Sequence, residues 1–77
     1  MQDYTLECFR EIWKAGKFIG YSSYKAIKIK ASNPREAMRR VKRKGLLVNK
    51  VLDEEGEILY KTIWDESGFP TAGVFTR

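Results

Sequence analysis

Length and composition limit this 77-residue chain to one small domain, residues 1–77. A chain of this size buries only a little over half of its unfolded surface, so its core must be small. The chain contains no histidine and one cysteine, Cys8. That composition excludes an intramolecular disulfide, the usual zinc ligand sets and any Ser-His or Cys-His catalytic pair. We therefore expect a non-enzymatic protein with no catalytic residue, no metal site and no cofactor.

Charge is unevenly distributed along the chain, although the net charge is only +5. Residues 14–50 contain twelve Lys or Arg and one acid, whereas residues 51–66 contain six acids and one Lys. No apolar run approaches the length of a membrane span, and the N-terminus lacks the apolar core of a signal peptide. We expect a soluble, cytoplasmic protein, either a monomer or a homodimer, with no membrane partner.

The first predicted element, residues 4–13, fits two patterns. As a strand, the segment alternates and places Phe9 and Trp13 on one face. As a helix, it forms an apolar stripe that Gly16 would cap. We favour the strand, because the next strand along the chain needs a partner.

A second strand is predicted at residues 24–31, where apolar and polar side chains alternate cleanly. Between the two strands, residues 15–17 predict a turn. Residues 18–23 form an uncertain stretch interrupted by Gly20. This stretch is either a long hairpin tip or a continuation of the second strand.

A helix is predicted at residues 34–44, and both of its ends carry signals. Asn33 is suited to the N-cap, and Glu36 completes a capping box with it. Gly45 is suited to the left-handed conformation that ends a helix. The apolar stripe of this helix is narrow and consists of Ala37, Met38 and Val41.

The acidic part of the chain predicts two more strands. Residues 46–52 and 57–64 are apolar runs joined by a hairpin loop at residues 53–56. A turn follows at residues 65–68, and residues 69–77 form either a short edge strand at 72–76 or a frayed tail. The order β-β-α-β-β predicts an α+β two-layer sandwich. Its antiparallel sheet would have four strands, or five with the tail, and one basic amphipathic helix on one face.

The basic helix is the first candidate site, because six of the residues at positions 33–45 are cations. Several such side chains can neutralise phosphates and release counterions, which indicates binding to a polyanion, with nucleic acid as the leading candidate. The other interpretation is a solvated surface balanced by the acidic residues 53–57. The candidate nucleic-acid-binding residues are Arg35, Arg39, Arg40, Lys42, Arg43 and Lys44, supported by Lys28 and Lys30.

The sheet face away from the helix is the second candidate site, since it would carry Phe9, Trp13 and Tyr24 beside the strand lysines. Aromatic side chains interleaved with lysines are typical of surfaces that stack single-stranded bases. The same residues are a candidate face for a protein partner or a homodimer. We favour a third interpretation, in which the C-terminal residues Phe69, Val74 and Phe75 cover these aromatic rings.

The element layout of residues 4–64 resembles that of small phage-encoded β-β-α-β inhibitor proteins, among them RNA polymerase inhibitors and anti-CRISPR proteins. The resemblance lies in two strands, a helix opened by Ser32-Asn33-Pro34-Arg35-Glu36-Ala37, and a strand followed by an Asp-Glu-Glu-Gly hairpin. It assigns no role to any residue. It implies a binding protein without catalytic activity, and it supports, as the alternative function, a protein-binding module that inhibits a host protein.

Overall fold

The computed structural model describes residues 1–76, which form seven strands and one helix. In chain order these are β1 (Gln2–Phe9), β2 (Glu11–Lys14), β3 (Lys17–Tyr21), β4 (Lys25–Ala31), α1 (Pro34–Lys42), β5 (Leu47–Leu52), β6 (Ile58–Trp64) and β7 (Pro70–Phe75). Five strands form an antiparallel sheet in the order β4-β1-β5-β6-β7, and β2 and β3 form a separate two-stranded sheet. The α+β class is confirmed. The predicted order β-β-α-β-β and the single sheet of four or five strands were wrong.

The additional sheet arises because the first hairpin is interrupted near Arg10. The Arg10 carbonyl accepts a hydrogen bond from the Ser22 amide, and the Arg10 amide donates to the Ser22 hydroxyl, both at 2.9 Å. These side-chain and backbone bonds replace the regular ladder, so β2 and β3 continue as a hairpin of their own. Ala15 and Gly16, both at positive φ, form its predicted turn. We call β2, β3 and this turn the hairpin arm.

Strand β1 is an interior strand of the five-stranded sheet and lies between β4 and β5. Leu6 has Ile27 of β4 on one side and Val51 of β5 on the other. The strand interpretation of residues 4–13 is therefore confirmed. At the opposite side of the sheet, β7 pairs with β6, so the edge-strand interpretation of the tail is also confirmed, although the strand begins at Pro70 and not at residue 72. Residue 77 of the predicted tail lies outside the described residues.

The main core lies between α1 and the sheet, as the narrow apolar stripe predicts. Ala37, Met38 and Val41 are buried against side chains of the sheet, which are Tyr4, Leu6, Cys8, Ala31, Val48 and Val51. The Cys8 thiol donates to the Leu6 carbonyl at 3.6 Å. Burial raises the pKa of this thiol, with a smaller contribution from Glu7. Cys8 is thus a small core residue that stays protonated.

Helix α1 begins as predicted but ends two residues earlier. The Asn33 side chain accepts a hydrogen bond from the Glu36 amide at 2.9 Å, which satisfies one of the free amides of the first turn. The Glu36 carboxylate, however, accepts from the Ser32 hydroxyl instead of returning to Asn33. The helix ends with Arg43 as C-cap, and Gly45 follows at φ 79°. No helix within residues 1–76 has the length and apolar character needed to cross a membrane.

Two similar turns join β5 to β6 and β6 to β7. In each, the side chain of an aspartate, Asp53 or Asp65, accepts hydrogen bonds from the amides two and four residues later, all at 2.9 Å. In each, a glycine three residues after the aspartate, Gly56 or Gly68, has a φ of 83°. The Asp-Glu-x-Gly pattern at both places is a short repeat that predicts two consecutive hairpins.

Candidate functional site

Four cations of α1 and its C-cap line one groove over β6 and β7. We call it the basic groove; its lining residues are Arg35, Met38, Arg39, Lys42, Arg43, Tyr60, Gly73 and Phe75. Its volume is about 630 Å³. The helical residues come together because positions separated by three or four lie on one side of a helix. Since α1 packs mainly on β1, β4 and β5, the same face of β6 and β7 remains open to form the floor.

The floor of the basic groove is aromatic. Tyr60 of β6 and Phe75 of β7 are cross-strand partners, and their ring centroids are 5.0 Å apart at an interplanar angle of 60°. The Tyr60 ring also lies against Gly73, where even a methyl group would overlap it. Glycine at this position therefore allows the tyrosine ring to rest on the β7 backbone. Neither Tyr60, Gly73 nor Phe75 was among the predicted site residues.

Arg35 connects the basic wall of the groove with its aromatic floor. Its guanidinium carbon lies 4.2 Å from the centroid of the Phe75 ring. This is the geometry of a cation–π contact, worth about 0.5–1 kcal/mol at an exposed site. The contact holds a planar, positively charged group at the mouth of the groove.

The structure separates the eight predicted cations into different regions. It brings Arg35, Arg39, Lys42 and Arg43 together in the basic groove, whereas Lys44 follows the C-cap and does not line the groove. The Arg40 guanidinium is directed to the other side of α1, where it donates to the Lys30 carbonyl and pairs with the Glu36 carboxylate.

Lys28 and Lys30 lie on the opposite face of the sheet. They are cross-strand partners of Thr5 and Asp3, which alternate with the core residues of β1. The Lys30 ammonium lies 4.0 Å from the Asp3 carboxylate. These two lysines therefore cannot contribute to the groove, because alternation along β4 turns them away from the helix.

Three acidic side chains, those of Glu36, Asp53 and Glu54, have structural partners. The hydrogen bond from Ser32, followed by the charge of Arg40, lowers the pKa of Glu36. The Glu54 carboxylate accepts from the Asp3 amide at 3.2 Å, beside the start of β1. Within residues 1–76, no three acidic or cysteine side chains converge in a way that could hold a metal ion.

The face opposite α1 carries an aromatic cluster, but not an open platform. Phe9 is only 2% exposed. Its ring contacts Tyr21, Tyr24 and Trp64 at centroid distances of 5.3, 5.8 and 5.1 Å. Phe9 is therefore a core residue with almost no surface to offer a partner. Trp13 and Tyr24, with 58% and 51% of their surface exposed, remain accessible on this side.

The prediction that the C-terminal segment covers this cluster was correct for one residue only. Phe69 contacts Phe18 and Tyr21, at 5.9 and 6.3 Å between centroids. Phe75 instead lies in the basic groove, because the regular pairing of β7 with β6 places it beside Tyr60. Val74 is 43% exposed and covers little.

A buried asparagine positions one edge of the aromatic cluster. Asn49, 6% exposed, donates to the Glu7 carboxylate and accepts from the Trp64 indole at 2.8 Å. The β1–β5 register shifts beside this residue, which turns its amide toward the cluster. Asn49 was not predicted from the sequence. The one local feature that indicates its role is that it is a polar residue within a mostly apolar strand.

Comparison of the chain with models of known protein families, with curated proteins and with solved structures finds no significant match.

Proposed function

We propose that this protein is a non-enzymatic nucleic-acid-binding protein whose ligand lies in the basic groove. The observation that carries this proposal is the convergence of Arg35, Arg39, Lys42 and Arg43 on one groove with an aromatic floor. Lys and Arg side chains bind phosphates and release condensed counterions. A groove that adds aromatic rings to such cations is the usual arrangement of proteins that follow a nucleic-acid backbone.

Repulsion within α1 supports a ligand over a merely solvated surface. Arg35 and Arg39, and likewise Arg39 and Arg43, are four residues apart, and each such pair costs about 0.2–0.5 kcal/mol. Glu36, the acidic residue of α1, pairs with Arg40 outside the groove and offsets little of this repulsion. A phosphate backbone in the groove would offset it.

Charge reversal on two different faces tests the proposal. Affinity for fluorescently labelled DNA and RNA is measured by anisotropy at several salt concentrations. We expect the double variant Arg39→Glu/Arg43→Glu to weaken binding by more than about tenfold, because two phosphate contacts become repulsive. The matched control is Lys28→Glu/Lys30→Glu, which changes the net charge equally but on the opposite face.

Two results would contradict the proposal. One is an absence of binding at low salt by the parent protein. The other is an equal loss of affinity in both double variants, since net charge and not the groove would then determine binding. Thermal unfolding followed by circular dichroism verifies that both variants are folded.

The second candidate function is protein binding, as expected of a phage or mobile-element inhibitor of a host protein. One observation favours it: large apolar side chains are exposed on and beside the hairpin arm. Trp13 and Ile19 are each 58% exposed, Tyr24 is 51% exposed and Phe69 is 46% exposed. A contiguous exposed apolar surface often marks a site of protein association.

A further inference from the structure

We propose that the ligand of the basic groove is single-stranded nucleic acid, and that an unpaired base stacks on the groove floor formed by Arg35, Tyr60 and Phe75. This inference rests on the proposed function and adds the substrate class. The cations of α1 then bind phosphates, and the rings of the floor stack against a base.

The composition of the floor suits a stacked base. Tyr60 and Phe75 are both partly buried, so each ring is held in place by packing and still borders the groove. The guanidinium of Arg35, 4.2 Å above Phe75, adds a planar cation to these rings. Aromatic rings and guanidinium planes are the two kinds of surface on which proteins stack unpaired bases.

The positions of the cations favour a single strand over a duplex. Ala37, Met38 and Val41 bury the apolar stripe of α1 against the sheet, and the groove cations Arg39 and Lys42 flank this stripe on the side of β6 and β7. A helix that reads duplex DNA presents its side chains outward into the major groove. Here the exposed cations border an open groove between α1 and the β6–β7 floor, and the bases of a duplex, already stacked and paired, present no free face to the rings of that floor.

The size of the groove also fits a single strand. A volume of about 630 Å³ lies within the range of about 300–1,000 Å³ that is typical of small-ligand sites. A groove of this volume suits a short segment of a single strand. An acidic peptide would also neutralise the cations, but it would make no specific use of the Tyr60–Phe75 ring pair.

Three ligands of equal length test the inference: a single-stranded oligodeoxynucleotide, an abasic oligomer with the same phosphates and no bases, and a duplex. We expect the parent protein to bind the single strand about tenfold or more tightly than the abasic oligomer, because stacking is lost without bases. We expect Tyr60→Leu and Phe75→Leu each to reduce this preference severalfold or more and to leave abasic binding nearly unchanged. Phe69→Leu is the matched control, since this ring belongs to the cluster on the opposite face.

The outcomes separate the two proposals. The stacking inference is wrong if the parent binds all three ligands equally, or if neither leucine variant changes the preference for the single strand over the abasic oligomer. In that case the proposed function still stands, provided that Arg39→Glu/Arg43→Glu lowers the affinity for every ligand. If polyglutamate binds as tightly as the single strand, or if no oligonucleotide binds, the proposed function itself is wrong. The comparison of ligands on the parent protein requires no variant, so misfolding cannot obscure it.

Discussion

The Tyr60 ring lies against Gly73 of the neighbouring strand, at a position where any side chain would overlap it. The contact joins β6 to β7 diagonally, because the direct cross-strand partner of Gly73 is Thr62. The absence of a side chain at residue 73 thus determines where the tyrosine ring lies, and with it the shape of the groove floor.

Gly73→Ala should therefore remodel the basic groove without unfolding the protein. The added methyl group would displace the end of the Tyr60 side chain, a movement that the open groove can accommodate. We expect affinity for a single-stranded oligonucleotide to fall by roughly tenfold, the order of one lost base-stacking contact. Anisotropy measures the affinity. Val74→Ala, a change at an exposed neighbouring residue, is the control and should bind like the parent.

The N-cap of α1 provides a direct test of the helix that carries the groove cations. The Asn33 side chain accepts from the Glu36 amide at 2.9 Å. Asn33→Ala removes this acceptor and should lower the free energy of unfolding by about 1 kcal/mol. Asn33→Asp retains an acceptor and should unfold near the parental denaturant midpoint. Equal midpoints for Asn33→Ala and the parent would mean that this bond contributes no net stability.

Glu36 should make stability depend on pH in the acidic range. Its pKa is lowered in the folded protein, mainly by the Ser32 hydroxyl and then by Arg40. A carboxylate with a lowered pKa stabilises the folded state above its unfolded pKa, about 4.3 for a glutamate, and this contribution is lost as the pH falls through the folded pKa. The parent should therefore lose stability relative to Glu36→Gln as the pH is lowered below about 4.3.

Carboxyl NMR titration identifies the cause of this shift. Ser32→Ala should raise the pKa of Glu36 more than Arg40→Gln does, because the hydroxyl hydrogen bond is the larger contribution. The reverse order, or an unchanged titration in both variants, would contradict the assignment.

Substitutions of exposed residues in the hairpin arm should leave nucleic-acid binding unchanged. Trp13 and Ile19 are more than half exposed, so Trp13→Ser/Ile19→Ser should leave the unfolding temperature and the oligonucleotide affinity close to those of the parent. A loss of oligonucleotide binding would place the ligand on the arm and contradict the groove. Sedimentation of the same variant shows whether the arm joins two copies: a parental dimer that becomes a monomer would identify the arm as their interface.

Local patterns in the sequence predicted the individual elements well. The alternation of residues 24–31 and the Asn33 cap depend on neighbouring residues, and both are found in the structure within a few positions. The bend at Arg10 was not predictable in the same way, because it depends on bonds from Ser22, which is distant along the chain.

The candidate site was predictable only in part, for the same physical reason. The basic wall could be read from the helical spacing of Arg35, Arg39 and Arg43. The floor could not be predicted in this way, because the order of strands in the sheet is what places Tyr60 and Phe75 beside the helix. That order depends on long-range pairing, which leaves no local pattern.

The position of β1 between β4 and β5 determines how the fold can be assembled. The strands β5, β6 and β7 are consecutive neighbours joined by two tight turns, and the hairpin arm is also local. The sheet is completed only when Leu6 meets Val51, a pairing that closes a loop of more than forty residues. Closing such a loop costs conformational entropy before the pairing gains any stability, so we expect this step to limit the folding rate. The pairing of β1 with β5 would then form later than the pairing of β5, β6 and β7 with one another.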